Sequence, residues 1–96
     1  MSEYVFAFRN RPDVTADDAV EAAWAAWFAE LGEKVASFGH RVGRAHMVGD
    51  GPASPNALSG YVVVNADSLD DAVALAQGCP GLKSGGQVEV GETVPM

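Results

Sequence analysis

Apolar residues recur along the first half of the chain with two different periods. The aromatic and β-branched run YVFAF at residues 4–8 predicts a first strand, which Pro12 ends because it has no backbone donor. Further on, apolar residues at intervals of three and four positions predict one amphipathic helix. Thr15 is its expected N-terminal cap, and Gly39 is expected to end it. This helix is expected to run to about Phe38, with an apolar stripe formed by Val20, Trp24, Trp27, Leu31, Val35 and Phe38.

The second half predicts three strands and another helix. Residues 41–48 would place both polar and apolar side chains on each face of a strand, which favours an edge strand. The nearly continuous apolar run at 58–65 favours a central strand. Between these strands, residues 49–56 form a loop rich in Gly and Pro. Ser68 caps the second helix, Gly78 and Pro80 end it, and residues 87–94 alternate as the last strand. The positions expected to be buried in the two helices are Trp24, Trp27, Leu31, Val35, Leu69 and Val73.

This order predicts one α+β domain over residues 1–96. Two helices can cover only one face of a four-stranded sheet, so the simplest arrangement is a ferredoxin-like βαββαβ fold with an antiparallel sheet. The other face would carry valines, and an apolar face of that size is not usually left in water. We therefore expect a homodimer in which two identical sheets cover each other.

Charge and cysteine content exclude several classes of protein. Thirteen acidic residues face six basic ones, and a net charge of −7 argues against binding to nucleic acid or to an anionic membrane. Cys79 is the only cysteine, so an intramolecular disulfide is impossible. The N-terminus shows neither a signal-peptide pattern nor a long apolar stretch, and we expect a cytoplasmic protein.

Motifs across the chain resemble one known family. They are GYVVVNADSLDDAVALAQGCPGL followed by GGQVEV, the pair Trp24 and Trp27, and a Gly-x-x-Val-Gly at residues 39–43. The chain is similar to the YCII-related proteins, also called the DGPF family, with Ala53 following Asp50-Gly51-Pro52 where that motif has Phe. The resemblance implies a fold like that of dimeric α/β-barrel proteins, some of which are small enzymes.

The residues themselves suggest acid/base chemistry without naming a substrate. His46 is the first candidate for proton transfer because a histidine titrates near neutral pH, and alternation would place Arg44 on the same strand face. The alternative is an exposed histidine on an edge strand. Asp50 could orient a histidine or act as a base, or it could simply form an Asp-Gly turn. His40 is expected at the surface, near the last helical carbonyls.

Three further residues are candidates for substrate binding. Arg9 and Tyr61 are expected on the open sheet face, where Arg9 could hold a carboxylate or could instead pair with Glu89 across a subunit interface. Trp27 could line a pocket, although tryptophans at helical spacing are more often core residues. Neither metal-ligand nor phosphate-loop spacing occurs, and we expect no metal and no cofactor.

Three functions stay open on these grounds. The protein could be a small-molecule isomerase or lyase that binds a small anionic ligand at the open sheet face. It could bind such a ligand without turnover, or it could be a structural homodimer.

Overall fold

The computed structural model describes residues 2–11, 17–52 and 54–96. Its elements are the strands β1 (Ser2–Asn10), β2 (Val35–Arg41), β3 (Ala57–Ala66) and β4 (Gln87–Glu92) and the helices α1 (Asp18–Leu31) and α2 (Leu69–Ala76). Two short 3-10 turns, Gly32–Lys34 and Pro80–Ser84, follow the helices. In the part of the chain that these ranges cover, no helix is long and apolar enough to cross a membrane.

The four strands form one antiparallel sheet in the order β2-β3-β1-β4. Tyr4, Phe6 and Phe8 of β1 point to the same face as Val62 and Val64 of β3, and all five are buried. Trp27 and Leu31 of α1 and Ala72 and Ala76 of α2 belong to the same hydrophobic cluster. Both helices therefore lie on one face, which confirms the predicted ferredoxin-like α+β fold.

The predicted second strand was placed too late in the chain. The helix ends at Leu31 because Gly32 takes a positive φ of 51° and its amide donates to the Phe28 carbonyl. The chain then turns into β2 at Val35, so the predicted helical segment 32–38 is wrong. The predicted strand 41–48 is wrong as well, because β2 ends at Arg41 and residues 42–56 are irregular where they are described.

The other predicted boundaries agree better with the structure. Strands β1, β3 and β4 occur where they were expected, although β4 ends at Glu92. The Ser68 hydroxyl accepts a hydrogen bond from the Asp71 amide at 3.1 Å and caps α2 as predicted. For α1, the predicted cap Thr15 lies outside the described residues, and Asp17 accepts a hydrogen bond from the Val20 amide.

Not all of the predicted core positions are buried. Trp27 and Leu31 are each 4% exposed, while Trp24 and Val35 are partly buried against the core. Leu69 and Val73 are 47% and 38% exposed, and their predicted burial is wrong. The small residues Ala72 and Ala76 face the sheet instead, so Leu69 and Val73 lie on the flank of the helix.

Candidate functional site

A cleft of about 610 Å³ lies between α1 and the β2–β3 side of the sheet, and we call it the aromatic cleft. Its residues differ in depth. The floor is buried and consists of Phe8, Gly60 and Val62. The walls are half-buried and consist of Asn10, Trp24, Phe28, Gly39, Ser59 and Tyr61. The rim is exposed and consists of Glu21, Phe38, His40 and Arg41.

Aromatic rings form the helix side of this cleft. Trp24 stands edge-on to Phe8 with ring centroids 5.0 Å apart, and Phe28 lies 5.9 Å from Trp24. Phe38 of β2 continues the series at 5.9 Å from Phe28, although its side chain is 65% exposed. Ring faces and edges at these distances suit a flat apolar ligand more than an extended flexible one.

A histidine and a tyrosine are joined at the edge of the sheet. His40 pairs with Tyr61 across the β2–β3 ladder, and its Nδ1 lies 2.8 Å from the Tyr61 hydroxyl. The ladder register shifts between Val35 and Ser37 and again between Ser37 and His40, which bends this edge strand. Tyr61 lies opposite Ala7 of β1 and His40 lies opposite Tyr61, so both side chains project to the open sheet face and the pair only borders the cleft.

Gly39 keeps the Tyr61 ring in this position. Its φ is +59°, a conformation that side chains rarely adopt, and a Cβ built there would overlap the Tyr61 carbonyl and ring. A glycine is therefore required beside the His40–Tyr61 pair.

Of the predicted catalytic residues, His46 and Asp50 both lie in the irregular segment after β2 and are exposed. Arg44 is exposed in the same segment. The expectation that Arg44 and His46 share a strand face is wrong, since neither belongs to a strand. None of the three lines the aromatic cleft.

Of the predicted binding residues, only Tyr61 borders the cleft, and it lies opposite Ala7 on the open sheet face, as expected. Arg9 forms an ion pair with Glu89 of the same chain, Nη2 to Oε1 at 3.3 Å. A pairing of these residues between subunits stays a prediction. Trp27 packs in the core against Phe6 and Phe8, and Trp24, one turn earlier, takes the wall position.

Sequence reasoning missed His40 as a site residue. It assigned His40 to the turn after a helix because Leu31, Val35 and Phe38 continue the helical spacing of α1. The available signal was Gly32, a plausible helix stop seven residues before Gly39. Among the described residues, no group of three or more His, Cys, Asp or Glu side chains is arranged to hold a metal ion.

Two buried groups outside the cleft have perturbed acidity. Burial raises the pKa of the Cys79 thiol, which keeps it protonated and unreactive. Burial, and after it the negative charge of Glu92, raises the pKa of the Tyr4 hydroxyl.

Comparison with known proteins agrees with this fold. A solved structure of 5-chloro-2-hydroxyhydroquinone dehydrochlorinase (TftG) from Burkholderia phenoliruptrix AC1100, in complex with 2,5-dihydroxybenzoquinone, superposes with a TM-score of 0.63. The two sequences are 18% identical, and the match covers 98% of this chain and 95% of the other. No protein with a curated function matches the sequence.

The family comparison covers almost the whole chain. The family model described as the YCII-related domain matches residues 2–96. The match spans the strand that begins the fold, both helices and the final strand. The chain therefore belongs to the YCII-related family.

Proposed function

We propose that this protein binds a small planar ring compound with acidic hydroxyl groups in the aromatic cleft. The observation that carries the proposal is the cleft itself, in which aromatic walls lead to the basic side chain of Arg41 at the rim. Arg41 at the rim offers a positive charge to an anionic hydroxyl. The bound 2,5-dihydroxybenzoquinone of the similarly folded dehydrochlorinase is a compound of this class.

The His40–Tyr61 pair lies beside the cleft, on the open sheet face, and the chemistry that best suits it is proton transfer. If the Tyr61 hydroxyl donates to Nδ1, Nε2 carries the imidazole proton and can give it to a ligand. If Nδ1 donates to the Tyr61 oxygen, Nε2 is free to accept a proton. The same contact thus permits an acid or a base, which fits an isomerase or lyase.

Binding can be tested by calorimetry with 2,5-dihydroxybenzoquinone and with 4-hydroxybenzoate. We expect saturable binding of one ligand per cleft, weakened about 2- to 10-fold by Trp24→Leu, since an aromatic contact contributes about 0.5–1.5 kcal/mol. Leu69→Ala on the flank of α2 is the matched control and should change nothing. Absence of saturable binding, or equal effects of both variants, would contradict the proposal.

Catalysis can be tested without knowledge of the natural reaction. The chain has two histidines. Exchange of the ring hydrogens of 2,5-dihydroxybenzoquinone with D₂O requires protons to be added and removed, and NMR follows it directly. We expect the protein to accelerate this exchange, His40→Ala to abolish the acceleration, and His46→Ala to leave it intact.

The reverse result would transfer the proton-transfer role to His46, with Asp50 and Arg44 in the same segment as its candidate partners. Those three roles stay predictions, since none of the described residues in segment 42–56 lines the aromatic cleft. Binding without any accelerated exchange would favour the alternative of a ligand-binding module without turnover.

We also propose a homodimer formed through the open sheet face. Val5, Ala7 and Val63 alternate with the core residues and are half-buried, and no described helix packs over them. Covering them with a second copy would remove apolar surface from water. Light scattering should give twice the chain mass, and Val63→Asp should reduce it to one. A wild-type monomer at micromolar concentration would contradict this.

A further inference from the structure

A β-bulge lies at the inner end of the aromatic cleft. Phe8 is opposite Gly60 and Arg9 is opposite Leu58, so Ser59 is the extra residue on β3. An extra residue breaks the alternation of side chains between the two faces, and bulges commonly re-aim a side chain toward a site. Ser59 accordingly lines the cleft between α1 and the sheet.

Ser59 and Asn10 form a hydrogen-bonded unit there. The Ser59 hydroxyl donates its one hydrogen to the Phe8 carbonyl at 3.2 Å. It accepts from Asn10 Nδ2 at 2.6 Å. The Asn10 amide nitrogen carries two hydrogens, and Ser59 takes one of them, which leaves the second for another acceptor.

Close packing fixes the Asn10 side chain in this orientation. A Cβ built at Gly81 would lie 2.9 Å from Asn10 Oδ1, and one built at Gly86 would overlap the same atom. The oxygen end of the amide is therefore held against two glycines while the nitrogen end points toward Ser59. A polar group that is held in this way binds a ligand with little loss of side-chain entropy.

The two ends of the cleft thus differ in charge. The inner end presents an amide and a hydroxyl, both neutral, beside the buried ring of Phe8. The outer end presents the ionic side chains of Glu21 and Arg41, the latter opposite Gly60 on the side of the sheet that faces α1. An anionic group at the inner end would lose water without gaining a cation, whereas a neutral carbonyl would lose little and accept a hydrogen bond.

We infer that Asn10, supported by Ser59, determines the orientation of the ligand and selects for a neutral carbonyl oxygen at the inner end. The substrate class is a ring compound with a carbonyl group at one end and an acidic hydroxyl at the other. The inference rests on the proposed function, because it needs the cleft to bind such a ring.

Three probes separate the two ends: 4-hydroxyacetophenone, phenol and acetophenone. We expect the wild-type protein to bind 4-hydroxyacetophenone about 3- to 10-fold more tightly than phenol, the range for one neutral hydrogen bond. Asn10→Asp should abolish this carbonyl advantage, because an acid has no hydrogen to donate when ionised. Arg41→Gln should keep the carbonyl advantage and reduce the benefit of the hydroxyl over acetophenone.

Two measurements do not depend on the folding of a variant. The side-chain amide signals of Asn10 in the NMR spectrum should shift with 4-hydroxyacetophenone and not with phenol. The wild-type protein should also bind 4-hydroxyacetophenone more tightly than 4-hydroxybenzeneacetate, whose carboxylate suits the inner end poorly.

The outcomes distinguish the two proposals. If no probe binds, the proposed function fails and the inference fails with it. If the probes bind but Asn10→Asp weakens phenol and 4-hydroxyacetophenone equally, or if the Asn10 signals respond to both, only the role of Asn10 is overturned.

Discussion

The two helices cover the same face of the sheet, but they pack against it in different ways. Helix α2 presents Ala72 and Ala76, and its backbone comes within 8 Å, Cα to Cα, of residues in β1, β3 and β4. Helix α1 presents Trp27 and Leu31, and its close backbone neighbours are mainly the two 3-10 turns. Large side chains hold α1 away from the sheet, while alanines let α2 lie close to it.

This difference explains why the aromatic cleft lies beside α1. Rings at Trp24 and Phe28 fill part of the space between helix and sheet and leave a groove toward the β2 edge. The backbone of α2 lies close to the sheet, and no residue of α2 lines the aromatic cleft. Side-chain size at the helix–sheet contact thus decides which half of the layer can bind a small molecule.

The largest effect on stability is expected when the contact between Trp27 of α1 and the sheet is removed. Trp27→Ala should reduce the free energy of unfolding by about 3 kcal/mol or more, because it leaves a cavity between Phe6 and Phe8. Denaturant titration measures the loss, and Phe38→Ala on the exposed rim is the control. A loss under about 1 kcal/mol for Trp27→Ala would show that α1 does not depend on its large side chains.

The next effect concerns the close packing of α2. Ala72→Leu adds volume where the side chain is fully buried, and it should cost about 1–3 kcal/mol of stability. Ala26→Leu makes the same change on the exposed face of α1 and should alter stability by less than about 0.5 kcal/mol. Equal values for the two variants would remove the proposed contrast between the helices.

Removing the helix caps should have a smaller effect on stability, and its salt dependence should differ between the two helices. Ser68→Ala and Asp17→Ala each remove one hydrogen bond to a first-turn amide and should cost about 1 kcal/mol. Only Asp17 also contributes a negative charge at a helix N-terminus, so its loss should matter less in high salt. The same salt dependence in both variants would contradict this separation.

The smallest effect on stability near neutral pH is expected from Tyr4. This residue lies opposite Glu92 across β1 and β4, and the negative charge of Asp71 on α2 also acts on it. Because folding raises the pKa of Tyr4 above its ordinary value of 10.0, its contribution is present below that pH and is lost as the pH rises further. Tyr4→Phe should therefore make unfolding less sensitive to alkaline pH. Identical alkaline slopes in denaturant titrations would contradict the expected shift.

Much of the fold could be predicted because the local patterns agree with the tertiary structure. The run that became β3 is apolar enough to be a central strand, and Ser68 with Asp71 marks the start of α2. The candidate site was predicted less well. Tyr61 was expected on the open sheet face and lies there, whereas His46 and Arg44 were assigned from a strand that does not form.

The amino-acid sequence by itself determined the element order, the central strand β3 and the cap of α2, because these depend on neighbours close in the chain. Only the tertiary structure decided that α1 ends at Gly32, that His40 meets Tyr61 and that Ser59 joins Asn10. Each of these depends on pairing between distant strands. A helical spacing at Leu31, Val35 and Phe38 cannot reveal that Val35 gains more by pairing with Val64 than by continuing the helix.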